Sequence, residues 1–376
     1  MDKFRFKHHV IDLSLPPGNY GQTLLADLDG DGIMEFITGQ QFGSIFCYKF
    51  ITPDKWERTE IAKSSPSDVG LCCFDVDGDG LPDLVTGGAW YRNPGSLHKE
   101  WEKIVFDGEL AGVHDIICGD INRDGRNEVI TMSDRNDLRW YRIPDNPRNS
   151  WEKKYISPPV HAGISLGDID GSGNLSIIRT DRCFKNINGD ASAWGIHYIG
   201  PNSMPPVDFQ PRYAFDGTIN RVCDINGDGI NDIVFTDAEI PGGKIWWMEN
   251  VAGDGTIWQR HDIFSPVPGQ PRRGALHSLV AIDIDRDGDI DLITAEMEGV
   301  PGEKPPKYYI YENVKGNGSE WVEHVILDIN LGGHELVAGD IRGNGKIDIM
   351  SKPWSPSPNN QVGGKVFVIY LENISD

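Results

Sequence analysis

Three histidines stand at one repeated position of the sequence. His114, His277 and His334 each lie six residues before the first aspartate of a recurring acidic motif, and His161 lies seven residues before another copy. Histidine titrates near neutral pH, so it can donate or accept a proton, and it also binds metal ions. We therefore expect these four side chains to form a catalytic group, and Zn²⁺ is a possible ion bound by the cluster.

The acidic motif has the form DxDxDGxxD/E and occurs in seven copies at intervals of roughly 45–60 residues. Oxygen donors at its positions 1, 3, 5 and 9 suit Ca²⁺, and the glycine permits a tight turn. Five copies carry all four donors. These are Asp27, Asp29, Asp31 and Glu35; Asp75, Asp77, Asp79 and Asp83; Asp120, Asn122, Asp124 and Glu128; Asp224, Asn226, Asp228 and Asp232; and Asp283, Asp285, Asp287 and Asp291. We predict structural Ca²⁺ at these five.

Two copies depart from the motif. Copy four weakens to Asp168, Asp170, Ser172 and Ser176, and copy seven places Arg342 at the second ligand position. The alternative for every copy is a metal-free turn in which backbone N–H groups bind the aspartates. Because the motif recurs in each repeat, its expected role is stability.

Each motif is set among four short strand-like segments. An apolar segment such as "TLLA" precedes it, and "IMEFITG" or its equivalent follows. A third segment carries aromatic residues, as in "KIWWMEN", and a fourth usually opens with tryptophan, as in "WEKIVF". Four short strands with Gly, Pro, Asn and Asp turns are typical of a propeller blade.

The seventh repeat has no fourth strand of its own. The N-terminal "FKHHVIDLSL" resembles the fourth strands of other repeats, so we predict that residues 4–13 close the ring as the outer strand of the last blade. The fold prediction is all-β: a single seven-bladed β-propeller of antiparallel blades over residues 1–376. The predicted blades are approximately 18–62, 66–107, 111–157, 160–216, 217–264, 273–328, and 332–376 with 4–13.

On these motifs the chain resembles the FG-GAP/VCBS repeat family. The resemblance implies a seven- or eight-bladed propeller and a broad range of functions. Members include integrin-like adhesion heads, lectin-like binders, and rhamnogalacturonan, ulvan and rhamnose–glucuronate lyases. Dehydratases of anhydrofructose or aldos-2-ulose share the architecture. Fold alone does not choose among these activities.

The topology predicts where chemistry takes place. The acidic loops join the first and second strands of each blade, so the four histidines and Arg221 should lie on the opposite face. The second strands end on that face too, and their ends contribute Trp90, Asp134, Arg135, Arg179, Asp181, Arg182, Asp237, Glu239, Glu296, Glu298, Lys352 and Trp354. Of these, we predict that Trp90, Arg135, Arg182, Glu296, Lys352 and Trp354 bind substrate.

The favoured function is a carbohydrate lyase that cleaves a uronate by β-elimination. The histidines would share the base and acid roles, and Arg221, with Arg182 or Arg135, would hold the substrate carboxylate. A keto-sugar dehydratase is the nearest alternative and needs no carboxylate site. In a further variant, three of the histidines hold Zn²⁺ near Glu296 or Glu298. A non-catalytic propeller that binds a glycan or protein is the alternative from another class.

Composition excludes some partners. The net charge of −22 disfavours nucleic acid, and no apolar run is long enough to span a membrane. The N-terminus shows no signal peptide, so we expect a cytoplasmic protein, or a secreted one if a leader has been removed. A carbohydrate is the expected partner, and the sequence does not indicate an oligomeric state.

Overall fold

The computed structural model describes residues 3–133, 135–199, 219–299 and 302–375, so Asp134 and the end of predicted blade four lie outside the described residues. Within these ranges the chain forms 28 strands in seven four-stranded antiparallel sheets. The described part contains no helix that is long and apolar enough to cross a membrane. The prediction of an all-β, seven-bladed propeller is confirmed.

The strands follow the predicted repeats. Strand β1 (Phe6–Asp12) belongs to the last blade. Blades one to four are formed by β2 (Tyr20–Ala26), β3 (Glu35–Gln40), β4 (Ile45–Thr52) and β5 (Lys55–Ala62); β6 (Cys72–Phe74), β7 (Asp83–Thr86), β8 (Ala89–Arg92) and β9 (Glu102–Val105); β10 (Val113–Gly119), β11 (Glu128–Ser133), β12 (Leu138–Arg142) and β13 (Glu152–Ser157); and β14 (Ile164–Gly167), β15 (Ser176–Arg179), β16 (Arg182–Asn186) and β17 (Trp194–Tyr198).

The remaining blades have the same order. They are formed by β18 (Ile219–Cys223), β19 (Asp232–Thr236), β20 (Ile245–Asn250) and β21 (Trp258–Phe264); β22 (Val280–Ile282), β23 (Asp291–Ala295), β24 (Tyr308–Asn313) and β25 (Trp321–Leu327); and β26 (Glu335–Gly339), β27 (Asp348–Lys352), β28 (Val368–Asn373) and β1. From blade two round to blade one, the first strand of each blade contacts the first strand of the next, so these strands line the axis of the ring.

The apolar core lies between blades. Seven clusters of buried residues each join two neighbouring blades, including a cluster of blades seven and one around Tyr20, Phe36 and Tyr370. The second and third strands supply most of these residues, which explains why their sequences are apolar and aromatic on both faces. Burial between sheets is the main favourable contribution to such a fold.

The acidic loops are held first by their own backbone. In copy one, the N–H groups of Gly30, Asp31 and Gly32 donate to Asp27 at 2.7–3.1 Å. Gly30 and Gly32 have φ values of 74° and 84°, in the region that favours glycine. The metal-free contacts of the alternative interpretation are therefore present in the loop.

A buried carboxylate at motif position nine connects the loop to the sheet in every copy except copy four, which has Ser176 there. In blade five, Asp232 accepts the N–H of Ile225 at 3.2 Å and that of Asn250 at 2.9 Å. The Asn250 amide then donates to the carbonyl of Ile169 in blade four at 2.7 Å. The same asparagine link joins blades two and one, four and three, and six and five, through Asn93, Asn186 and Asn313.

The N-terminal strand closes the ring as predicted. Strand β1 pairs antiparallel with β28, from Phe6 opposite Asn373 to Asp12 opposite Val368. His9 on β1 is buried, and its ring nitrogens lie 2.6 Å from Asp54 Oδ1 and 3.1 Å from Glu372 Oε2. His9 therefore connects the closing strand both to blade seven and to blade one.

Replacing His9 tests this closure. We expect His9→Ala to lower the free energy of unfolding by about 1–3 kcal/mol, because it removes a buried ring and its hydrogen bonds to Asp54 and Glu372 at the seam. The exposed His98 provides the matched control, and His98→Ala should change the value by less than about 0.5 kcal/mol. Urea denaturation measures both variants, and equal effects would contradict the role given to His9.

Candidate active site

The four predicted histidines lie at the starts of inner strands, on the face opposite the acidic loops. His114 is the second residue of β10, while His161, His277 and His334 precede β14, β22 and β26. Neighbouring rings are close: the centroids of His114 and His161 are 4.5 Å apart, and those of His277 and His334 are 3.9 Å apart. The predicted convergence of histidines is present in the structure.

Glu239 joins these rings into one cluster. It follows β19, and its Oε1 lies 3.1 Å from His277 Nε2 and 3.7 Å from His161 Nε2. Burial alone would raise the pKa of Glu239, but hydrogen bonds to His161 and His277 hold it well below the usual range. In turn, burial opposes protonation of His277, yet Glu239 raises the pKa of that imidazole. Both shifts favour a charged carboxylate facing a protonated imidazole.

Three side chains are placed as metal ligands would be. Ligand atoms of His114, His277 and Glu239 all lie within 4.8 Å of one another. His277 Nδ1 is 2.9 Å from the carbonyl oxygen of His334, and His114 Nδ1 is 3.3 Å from Asp115 Oδ2. His277 Nε2 also lies 3.1 Å from Glu239 Oε1, so a metal would replace the proton shared by these two atoms. With each Nδ1–H donating to its oxygen, the Nε2 atoms of both rings could then bind the metal, which is the usual arrangement of ligating histidines. Two imidazoles and a carboxylate suit Zn²⁺.

His334 has a different environment. It stacks on His277, and its ring centroid is 5.1 Å from that of Trp354. Burial, and then the positive charge of neighbouring groups, hold the pKa of His334 well below its usual value. Its Nδ1 is buried without a hydrogen-bond partner in the described part of the chain. His334 is therefore uncharged, and its ring packs between His277 and Trp354 at one side of the cluster.

The predicted arginines are not arranged as one carboxylate site. Arg221 is enclosed by the ring yet solvent-exposed, as a side chain in an axial channel would be, and it donates to the Asn220 carbonyl at 2.7 Å. Arg182 donates to Asp181 at 2.7 Å and lies over the Tyr198 ring. Arg135 packs against Gly112, where a Cβ would not fit.

The other predicted substrate-binding residues have structural contacts. Trp90 is fully buried, and its indole N–H donates to the Pro147 carbonyl at 3.3 Å, so it offers no face to a sugar. Lys352 is also fully buried and donates to the carbonyls of Tyr20 and Gly21 across the seam between blades seven and one. For these two residues, the structure replaces the predicted substrate contact with packing and backbone contacts.

Of Glu296 and Trp354, Trp354 is the one placed beside the histidine cluster. Glu296 accepts the N–H of Gly274 at 2.6 Å and the Tyr309 hydroxyl at 2.5 Å. The N–H of Trp354 donates to Glu298 Oε1 at 2.6 Å, which fixes the indole beside His334. The position of Glu239 was visible in the sequence at a second-strand end, but nothing there distinguished it from Glu296 or Glu298.

The acidic loops differ in the charge of a side chain on the third strand of the same blade. One position of the third strand carries Lys49, Arg92, Arg142 and Lys185 in blades one to four, but Glu249, Glu312 and Glu372 in blades five to seven. The basic side chains pair with loop aspartates: Arg92 with Asp77 and Asp79 at 2.5 Å, for example.

The glutamates of blades five to seven contact histidine, as Glu249 does with His261 at 2.7 Å. Within the described ranges, no lysine or arginine pairs with the loop aspartates of blade five. In blade six, Lys3 pairs with Asp285, and in blade seven Arg342 pairs with Asp348 at 2.9 Å.

Comparisons with known proteins agree with the repeat architecture. The model of an FG-GAP-like repeat matches residues 75–131 and 224–294, which confirms the predicted resemblance over these two segments. Aldos-2-ulose dehydratase from Phanerodontia chrysosporium is 26% identical over 284 residues, or 68% of this chain. That relative is a carbohydrate-processing enzyme, and the chain spans only 30% of its length.

Two solved propellers share the fold. A lectin from Agrocybe aegerita that recognises non-reducing terminal N-acetylglucosamine has a TM-score of 0.56 and 15% identity, covering 96% of this chain and 86% of its own. The Vibrio cholerae biofilm matrix protein Bap1 has a TM-score of 0.52 and 10% identity, covering 97% and 91%. At these identities the similarity concerns the fold alone.

The buried Lys352 predicts a distinct pH dependence of stability. Burial lowers its pKa from 10.5 to about 8, although Glu335 and Glu298 favour its charge. Between these two pH values the unfolded chain binds a proton that the folded chain has lost. The unfolding free energy of the wild type should therefore rise relative to Lys352→Met, by up to about 1.4 kcal/mol per pH unit.

Denaturation at pH 7–10.5 measures this difference. Lys99→Met, at an exposed lysine, serves as the control and should show no pH-dependent difference from the wild type. A constant offset between wild type and Lys352→Met over that range would contradict the buried, weakly basic state of Lys352.

Proposed function

We propose that this protein is a carbon–oxygen lyase that dehydrates a keto-sugar at a metal centre formed by His114, His277 and Glu239. The observation that carries the proposal is the convergence of these three ligand atoms within 4.8 Å on the face opposite the acidic loops. The similarity to aldos-2-ulose dehydratase supports the substrate class. The proposal thus favours the second of the two enzymatic functions that the sequence indicated.

Bound Zn²⁺ would supply a Lewis acid that polarises the sugar carbonyl. The chain's own residues prepare the site for it. The His334 carbonyl and Asp115 orient the rings of His277 and His114, and Glu239 provides the negative charge that neutral imidazoles lack.

His161 is the best-placed group for proton transfer. It lies beside His114 and outside the three-ligand group, and about a fifth of its side-chain surface is exposed. Dehydration removes a proton from the carbon next to the carbonyl and expels a hydroxyl from the following carbon, which leaves as water once protonated. An imidazole can take the first proton in its neutral form and supply a proton to the leaving hydroxyl in its protonated form.

A uronate lyase remains the competing enzymatic interpretation. It needs a cationic group that binds the substrate carboxylate, and the arginines predicted for this role have other contacts. Arg182 is paired with Asp181, while Arg221 lies between the charges of Glu335 and Asp115. A keto-sugar needs no such group, so this distribution of arginines favours dehydration.

Variants of the cluster separate metal binding from proton transfer. We expect Glu239→Gln to lose bound zinc and to reduce turnover of an aldos-2-ulose by about 100-fold. His161→Ala should keep its zinc but lose turnover to a similar extent, and His98→Ala should keep both. Zinc is measured by mass spectrometry of dialysed protein, and turnover by the loss of one water from the sugar.

The outcomes decide among the alternatives. Zinc and activity that both persist in Glu239→Gln would contradict the metal centre. Formation of an unsaturated uronate, with no reaction of the keto-sugar, would favour the uronate lyase. Binding of glycans without any reaction would favour the non-catalytic interpretation.

We also propose that Ca²⁺ stabilises the acidic loops, most strongly in blade five. There Asp224, Asn226, Asp228 and Asp232 form the full donor set, and the third-strand position that is basic in blades one to four carries Glu249. In blade one, the ammonium of Lys49 already contacts Asp29 and Asp31. A cation from solution would therefore neutralise more negative charge in blade five than in blade one.

Equivalent aspartates in the two loops test this distinction. Chelation should lower the melting temperature of the wild type, and adding Ca²⁺ should restore it. Asp228→Asn should remove more of this Ca²⁺-dependent increase than Asp31→Asn, which changes the same motif position in blade one. A melting temperature that does not respond to chelator or Ca²⁺ would contradict the proposal, and equal effects of the two variants would contradict the preference for blade five.

A further inference from the structure

A second cavity lies outside the histidine cluster, between blades five and six. Its volume is about 630 Å³, within the usual range for small-molecule sites. Strand β21, strands β24 and β25, and the segment 265–273 form its walls. We propose that this cavity binds a small organic anion with a ring-shaped body, of the class of acid-sugar glycosides. The proposal does not depend on the proposed catalytic function.

The cavity has an unusually apolar wall for a surface of this protein. Phe264 and Tyr309 lie along it, together with three prolines of the segment 265–273. Val267 and Val325 also line it, although they are 60% and 46% exposed. Exposed apolar side chains that converge on one concave surface mark binding sites more often than scattered ones do.

A fixed cation lies within this wall. The guanidinium carbon of Arg273 is 4.0 Å from the ring centroid of Phe264 and 4.4 Å from that of Tyr309. Its terminal nitrogens donate to the Tyr311 hydroxyl at 2.6 Å and to Glu323 at 2.8 Å. The side chain is therefore held in one orientation before any ligand arrives, which lowers the entropic cost of binding.

The charge of the cavity is positive in a strongly acidic protein. Four basic and two acidic side chains line it. Of the acidic ones, Glu323 pairs with Arg273, and the buried Glu296 accepts hydrogen bonds from Gly274 and Tyr309. Of the basic ones, Lys307 pairs with Asp328 at 2.6 Å outside the cavity.

Arg272 and Lys304 are the basic groups that remain. Both are exposed at the cavity mouth, and neither forms an ion pair with another described residue. The net charge of the whole chain is −22, so this local excess of positive charge would attract an anion that the rest of the surface repels.

These features define the chemistry of the occupant. A carboxylate matches the guanidinium fork of Arg272 and the ammonium of Lys304. A ring matches the apolar wall, and the volume accommodates one or two sugar rings. An acid sugar and an aromatic acid share this combination of ring and carboxylate, so the experiment distinguishes them.

Calorimetry with three small probes tests the proposal. We expect methyl β-glucuronide to bind at low ionic strength, methyl β-glucoside to bind at least tenfold more weakly, and 1 M salt to weaken the glucuronide. Benzoate reports whether an aromatic acid is preferred to the acid sugar; preferential binding of either anion would support the anion site.

Paired variants assign the binding to this cavity. The double variant R272A/K304A should lower the glucuronide affinity at least tenfold. The variant K55A/K99A removes the same charge at exposed sites elsewhere and should leave it unchanged. His277→Ala should also keep the affinity, because the histidine cluster is a separate site.

Three results would overturn the proposal. They are equal affinities for glucuronide and glucoside, no measurable binding of either anion, and full affinity in R272A/K304A. Loss of binding in His277→Ala, with binding retained in R272A/K304A, would instead place the anion in the histidine cluster.

Discussion

The buried carboxylate at the end of the acidic motif is the contact on which the ring depends. In blades two, five and six it accepts two backbone N–H groups of its own blade, one from the second residue of the motif and one at the end of the third strand. The asparagine at that strand end then donates to the preceding blade. Asp232, Asn250 and the Ile169 carbonyl form one such chain. Buried polar groups are costly unless they are paired, so the hydrogen bonding of blades two, four, five and six is completed only when the preceding blade is in place.

The repeat pattern was sufficient to predict the fold, because each motif marks both a turn and its position in a blade. It was also sufficient to place the N-terminal strand in the last blade, since that blade lacked an outer strand. The asparagine link was not predicted, although Asn93, Asn186, Asn250 and Asn313 share one position in their repeats. A repeated polar residue has no visible partner until neighbouring blades are assembled.

The histidine site was likewise only partly predictable, because its contacts also form between blades. Offsets from the motif identified the histidines that converge, because strands of equal register end on one face. Those offsets could not separate His277, which faces Glu239, from His334, which packs behind it. Nor could they show that Trp90 and Lys352 are buried, since a strand end can turn its side chain inward or outward. Contacts between blades decide these cases, and single repeats do not contain them.

One third-strand position is basic in blades one to four and acidic in blades five to seven, and this change divides the ring into two arcs. Blades one to four carry their own counter-charge at the acidic face, whereas blades five and six add another carboxylate there. The histidine cluster is shared between the arcs, with His114 and His161 on one and Glu239 and His277 on the other. The acidic face is therefore uneven in charge, and its more acidic arc belongs to the same blades that contribute Glu239 and His277 to the cluster.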